Sequence, residues 1–334
     1  MYKEFVSIIC FLFSACLLQA QDAKERGLQS ISRTSAEAIV GFLADDELQG
    51  REAGMHGSRV AARYLAAFLK DIGVAPLDGE SYYQSFEACA RERQQKGRFQ
   101  VHPDSIALYK QGAYRSLRLN NVLGMIPGKR KDEYVVVGAH FDHLGVDETL
   151  AGDSIYNGAD DNASGVSAVL QIARAFVVSG QKPLRNVIIA LWDGEEKGLL
   201  GSRYFTMSCP FIGKVKGYLN FDMIGRNNKP DCPQHVVYFY TESHPAFGEW
   251  LKQDIRTYGL DLKPDYRPWD RPVGGSDNAS FALLDIPIIW YHTDGHPDYH
   301  QPSDHADRLN WDKLTDITRA SFLNVWNLAN EPVY

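Results

Sequence analysis

Three apolar runs in this chain break off directly into histidine and carboxylate residues. Residues 135–139 run into His140-Phe141-Asp142, residues 187–192 into Asp193-Gly194-Glu195-Glu196, and residues 218–221 into Asp222. Each run has the length and composition of a strand. Between them lie stretches with apolar residues at helical spacing, notably 163–178, closed by Ser179-Gly180. Strands separated by helices predict an α/β domain around a mostly parallel central sheet. In such sheets functional groups gather beyond the carboxyl ends of the strands, so the three endings are predicted to converge.

The rest of the chain fits this frame. Helices are predicted over 35–48, 57–72 (stopped by Gly73), 245–258 and 311–328, the last capped by Asn310. Further strands are predicted over 121–126, 133–138, 215–221, 235–240 and 286–291. Residues 81–120 are polar and irregular, with short strands expected at 99–101 and 105–109. No repeat or low-complexity linker divides the chain, so residues 21–334 are read as one catalytic domain.

The first twenty residues differ in kind. A short polar start with Lys3 precedes an almost wholly apolar run, residues 5–18, and then Gln19-Ala20-Gln21. This is the pattern of a secretory signal over 1–20, too short for a comfortable membrane span. It predicts an exported protein, periplasmic or secreted. Two exits are open: cleavage after Ala20, or lipid attachment at Cys16 within Phe13-Ser14-Ala15-Cys16. Beyond it remain Cys89, Cys209 and Cys232, an odd number without a CxxC pair. No cysteine metal site is read from that spacing, and a Cys209–Cys232 disulfide is left open. The net charge of -7 argues against nucleic acid or an anionic membrane as partner.

The chemistry-bearing residues form a consistent set. To the three strand endings the chain adds Gly158-Ala-Asp160-Asp161-Asn-Ala-Ser-Gly165 ahead of a helix, and a C-terminal segment rich in histidine, residues 292–305. Two histidines with three carboxylates suit zinc, which takes nitrogen and oxygen ligands. A shared carboxylate can hold two such ions, and a further carboxylate outside the ligand set can take a proton from the attacking water. Asp142, two residues after His140, suggests a carboxylate that orients the ring. Singly, each of these residues would read as a cap, a turn or a solvated pair. For the C-terminal ligand, His292, His296, His300 and His305 compete; His56, His102, His143, His235 and His244 are read as surface, capping or structural residues.

The ordered motifs HFDH (140–143), GADDNASG (158–165), WDGEEKGLLGS (192–202), NFDMIG (220–225) and HPDYHQPSD (296–304) resemble the M28 family of zinc aminopeptidases, and the likeness runs from about residue 35 to 330. It implies two Zn(2+) ions, one held by His140 and Asp222, the other by Glu196 and His300, with Asp160 bridging both. It further implies Glu195 as general base, Asp142 as the residue orienting His140, and a cis peptide between Asp160 and Asp161. The implied fold is a zinc-exopeptidase-like single domain with a mixed sheet of about eight strands flanked by helices. The implied activity is removal of the first residue from peptides with a free N-terminus. Glutaminyl cyclases and carboxypeptidases share the scaffold and are the rival activities. Where the family often reads SDH this chain has Ser276-Asp277-Asn278, and Val273 replaces a tyrosine that stabilises the oxyanion in some members. Tyr266 and Arg271 are the candidate substitutes.

Overall fold

The computed structural model describes residues 22–92, 98–270 and 274–334. The signal at 1–20, the lipid site at Cys16, Arg271 and Val273 therefore lie outside the described residues. In chain order the strands are β1 (Ala75–Pro76), β2 (Tyr83–Arg91), β3 (Tyr114–Ile126), β4 (Arg130–His140), β5 (Gly145–Val146), β6 (Ile155–Tyr156), β7 (Arg185–Trp192), β8 (Val215–Phe221), β9 (His235–Tyr240), β10 (Lys263–Pro268) and β11 (Ile288–His292). The helices are α1 (Arg33–Leu43), α2 (His56–Asp71), α3 (Pro103–Tyr109), α4 (Gly165–Ser179), α5 (Leu200–Ser208), α6 (Ala246–Tyr258), α7 (Asn278–Ala282) and α8 (Trp311–Asn330).

Nine strands form one mixed sheet in the order β1-β3-β7-β4-β8-β11-β9-β10, with β2 paired to β3 outside that path. Its centre, β7-β4-β8-β11, is parallel. These central strands read as continuous apolar runs because both faces of the sheet are covered. Side chains alternate between the faces. Val135, Val137, Val187, Ile189, Leu219 and Ile289 join the core under α1, α4 and α8. Val136, Ile188, Ala190, Tyr218 and Ile288 join a second core with Phe205 of α5 and Phe281 of α7.

The chain departs from the sequence expectation mainly in residues 81–120. There β2 and β3 pair antiparallel over nine residues and extend the sheet, while residues 105–109 belong to α3 rather than a strand. Pro103 at the first turn and the His102 ring accepting from the Asp104 N–H start that helix. Cys89, Cys209 and Cys232 are unpaired, so the Cys209–Cys232 disulfide does not form. Among the described residues no helix is long and apolar enough to cross a membrane.

Candidate metal centre

Because β4, β7, β8 and β11 are parallel neighbours, their carboxyl ends open on one crevice. His140 ends β4, Glu195 and Glu196 follow β7, Asp222 follows β8, and His292 ends β11. A cavity of about 270 Å³ lies there, walled by His140, Asp161, Glu195, Glu196, Asp222 and His300 together with Met223, Trp290 and Tyr299.

The donor atoms fall into two groups that share one residue. His140 Nε2 is 3.3 Å from Asp161 Oδ1 and 3.6 Å from Asp222 Oδ1. His300 Nε2 is 3.2 Å from Asp161 Oδ2 and 3.3 Å from Glu196 Oε2. Tetrahedral zinc with bonds of about 2.0–2.1 Å holds its ligands roughly 3.3 Å apart. Both groups have that spacing, so the residues fit a pair of divalent cations.

The carboxylate between the two histidines is thus Asp161, which corrects the assignment of Asp160. Asp160 turns the other way. Its Oδ1 accepts from the Gly225 N–H at 2.6 Å and its Oδ2 lies 3.2 Å from His296 Nε2. The physical reason is local: Asp161 and Asn162 have non-helical backbone angles, so adjacent side chains diverge and only one of two neighbouring carboxylates faces the crevice. The cis peptide likewise lies one residue later than expected, between Asp161 and Asn162. Asn162 fastens this loop to the end of β8 by donating to the Phe221 carbonyl at 2.9 Å.

Asp142 also acts differently from the expectation. The His140 Nδ1 is 3.2 Å from the Asp142 backbone carbonyl and 3.8 Å from its carboxylate. A ring donating from Nδ1 presents the Nε2 lone pair to the crevice. The Asp142 carboxylate instead accepts from the backbone N–H groups of Glu195 and Glu196, at 2.9 and 3.3 Å, and so fixes the turn that carries both. Burial pushes the Asp142 carboxyl up to about 6 and the Glu195 carboxyl well above its ordinary range, with Glu196 and Asp222 adding repulsion at Glu195. Burial opposes charging His140, yet Glu195 and Asp222 outweigh it and raise its pKa well above the usual value. This crowd of buried carboxylates calls for positive charge.

Of the four competing C-terminal histidines, His300 is the one whose ring reaches both Asp161 and Glu196. Its φ of 53° is rare for a residue with a Cβ, the sort of local strain found at functional sites. His292 Nδ1 contacts the Asp222 carbonyl, His296 faces Asp160, and His305 pairs with exposed Asp153.

Several supporting residues escaped the sequence reading. Asp304 Oδ2 accepts from both the Asp160 and Asp161 N–H groups, at 2.9 and 3.0 Å. Arg226 lies 3.8 Å from its other oxygen and also pairs with Asp298. Asp304 closes the HPDYHQPSD segment, which was the available signal. Arg51, fully buried, donates to the carbonyls of Phe141, Leu43, Asn157 and Gly158, tying the His140 and Asp161 loops together. Tyr299 stacks on His300 at 3.9 Å and lines the cavity. Tyr266 packs near Tyr238, away from the cavity lining.

An open α/β sheet with paired imidazole–carboxylate groups beyond its parallel strand ends defines a scaffold for divalent cations. The profile of peptidase family M28 matches residues 121–325, and the chain belongs to that family. Leupeptin-inactivating enzyme 1 of Streptomyces exfoliatus is 32% identical over 172 residues, 50% of this chain and 34% of that protein. A probable glutamate carboxypeptidase, VP8 of Zea mays, is 28% identical over 246 residues, 65% of this chain and 31% of that protein. The chain thus spans about a third of the length of these relatives. In fold it resembles the LapA aminopeptidase of Legionella pneumophila, with a TM-score of 0.69 at 21% identity over 93% of this chain and 74% of that one. It also resembles BSAP, a zinc aminopeptidase of Bacillus subtilis (TM-score 0.68, 14% identity, 91% and 97%), and the glutaminyl cyclase of Porphyromonas gingivalis (0.61, 18%, 88% and 98%).

Proposed function

We propose that the chain is a two-zinc aminopeptidase, exported as the apolar run at 5–18 suggests. The observation that carries the reading is Asp161, whose two oxygens are divided between His140 with Asp222 and His300 with Glu196. His140 and Asp222 would hold one ion, Glu196 and His300 the other, and Asp161 both. When bound, such a pair polarises the scissile carbonyl and acidifies the attacking water.

The remaining roles belong to the protein. Glu195 lines the same cavity without belonging to either imidazole–carboxylate pair. Its carboxylate takes the proton from the attacking water and returns it to the departing amine. Asp142 holds the Glu195 backbone so that this carboxylate stays on the crevice. In this reading the negative cluster of Glu195, Asp161 and Asp222 would hold a free α-amino group beside the ions by charge attraction. Asp160, turned toward Gly225, has no part in that contact.

Acetylation of the substrate removes the charge and adds bulk where the carboxylates crowd. Purified zinc-loaded protein is therefore expected to cleave an unblocked aminoacyl-anilide or tripeptide at its first bond and to leave the N-acetyl form intact. Ready hydrolysis of the N-acetyl peptide would point to a carboxypeptidase. Ring closure of N-terminal glutamine with release of ammonia would point to a cyclase.

A further inference from the structure

We propose that His143 is a positioning residue for the second cation position, holding Glu196 so that a single oxygen of that carboxylate faces His300. The proposal rests on the two-cation reading above.

The His143 ring is completely buried, and its Nδ1 lies 2.8 Å from Glu196 Oε1. The other oxygen of the same carboxylate, Oε2, lies 3.3 Å from His300 Nε2. Glu196 is thus divided between two imidazoles, one behind it and one across the cation position. His143 Nδ1, Asp161 and Glu196 are also close enough together to hold an ion themselves, so His143 has to be weighed as a direct ligand. Distance decides between the two roles. Two donors on one tetrahedral zinc stand roughly 3.3 Å apart. A separation of 2.8 Å is that of a hydrogen bond, with a proton rather than an ion between Nδ1 and Oε1. The Nδ1 to Asp161 Oδ2 distance of 3.9 Å is too long for a second hydrogen bond.

The surroundings fix the ring in this pose. The His143 backbone N–H donates to the Arg51 carbonyl at 3.1 Å. Gly158 leaves the space the ring occupies, since a Cβ there would stand 2.5 Å from His143 Cδ2. The His143 and His300 rings meet edge-on with centroids 5.8 Å apart, and each reaches one oxygen of Glu196. With Oε1 held by His143, Glu196 turns Oε2 toward His300, and less side-chain freedom is lost when the cation arrives. Groups that orient a ligand in this way change metal affinity by about 10–100-fold when removed.

The test uses the full mature protein and zinc alone as probe. Stoichiometry and stepwise zinc affinity are measured by chelator competition for wild type, His143→Asn and His143→Phe. A melting curve of each metal-free protein checks the fold. The Asn side chain puts an N–H where Nδ1 stands but is a poor zinc ligand. His143→Phe keeps the ring and removes both nitrogens. The expected result is that His143→Phe binds its second ion about 10–100-fold more weakly, that His143→Asn restores most of that affinity, and that the first ion is unchanged in both. If the Phe variant does not fold, His143→Ala takes its place in the same comparison. Equal loss in the Asn and Phe (or Ala) variants would make His143 a ligand and overturn the proposal. Unchanged second-ion affinity in both would make it a space-filling residue. Saturation of wild type at one ion would overturn the two-cation reading, and this proposal with it.

Discussion

Two adjacent carboxylates, Asp160 and Asp161, show what a single residue step means in this site. Asp161 reaches both histidine groups, whereas Asp160 accepts from Gly225 and faces His296. Asp161→Asn is therefore expected to lower zinc stoichiometry below two per chain. Asp160→Asn keeps an acceptor for the Gly225 N–H and should retain both ions, at a stability cost of about 1 kcal/mol. Elemental analysis of the two purified variants checks this, and the opposite pattern would restore Asp160 as the bridge. Glu195 offers a second residue-scale test. Glu195→Gln keeps its size and loses its basicity. It should keep its metal while kcat falls by at least about 10²-fold, the scale of losing a general base. A kcat near that of wild type would remove Glu195 from the proton transfer. Both carboxylates of interest were visible in GADDNASG and WDGEEKGLLGS, but which of two neighbours faces inward depends on backbone angles that the motif does not state.

At the scale of elements, the site is a junction of loops that have to be held in register. Arg51 does this from the segment between α1 and α2. It is fully buried, and its guanidinium reaches the carbonyls after β4 and those before the Asp161 loop. Burial lowers its pKa to about 10, with Asp161 and Asp142 opposing that shift, so it stays charged at neutral pH. Arg51→Met fills much of the volume but leaves the buried carbonyls of Phe141, Leu43 and Asn157 without donors, while Gly158 keeps the Ala163 N–H. At about 1–3 kcal/mol for each buried group left unsatisfied, a loss of at least about 3 kcal/mol is expected in urea unfolding. Zinc affinity should fall with it, because the His140 and Asp161 loops lose their common tie. A variant as stable as wild type would show that the carbonyls find water or other partners. The sequence placed helices on both sides of Arg51 correctly, yet an arginine in a polar segment carries no mark of complete burial. Residues 105–109 failed for a related reason. Their composition suits a short strand, but Pro103 and the His102 cap start a helix there.

For the whole molecule, the sheet and the cations are expected to act together on stability. His140, Asp161, Glu196, Asp222 and His300 come from separate stretches of chain and meet only when the sheet forms. Unfolding scatters these donors, so zinc binds the folded state preferentially. Free zinc at a hundred times its dissociation constant should then stabilise the protein by about 2.7 kcal/mol per independent site. Chelation should lower Tm, and restored zinc should raise it again. A Tm indifferent to chelator would mean that the donors are not assembled in solution as they are here. The amino-acid sequence by itself determined the α/β class, the parallel centre of the sheet and the residues at the strand ends. It could do so because a strand buried on both faces must be apolar throughout, and charged residues at its exit are conspicuous against that background. Only the tertiary structure decided that Asp161 rather than Asp160 stands between the histidines, that Asp142 holds the Glu195 turn, and that His143 lies against Glu196. Those outcomes depend on backbone angles and on contacts between residues far apart in the chain, such as the 53 positions between His143 and Glu196. Spacing along a sequence carries no measure of either.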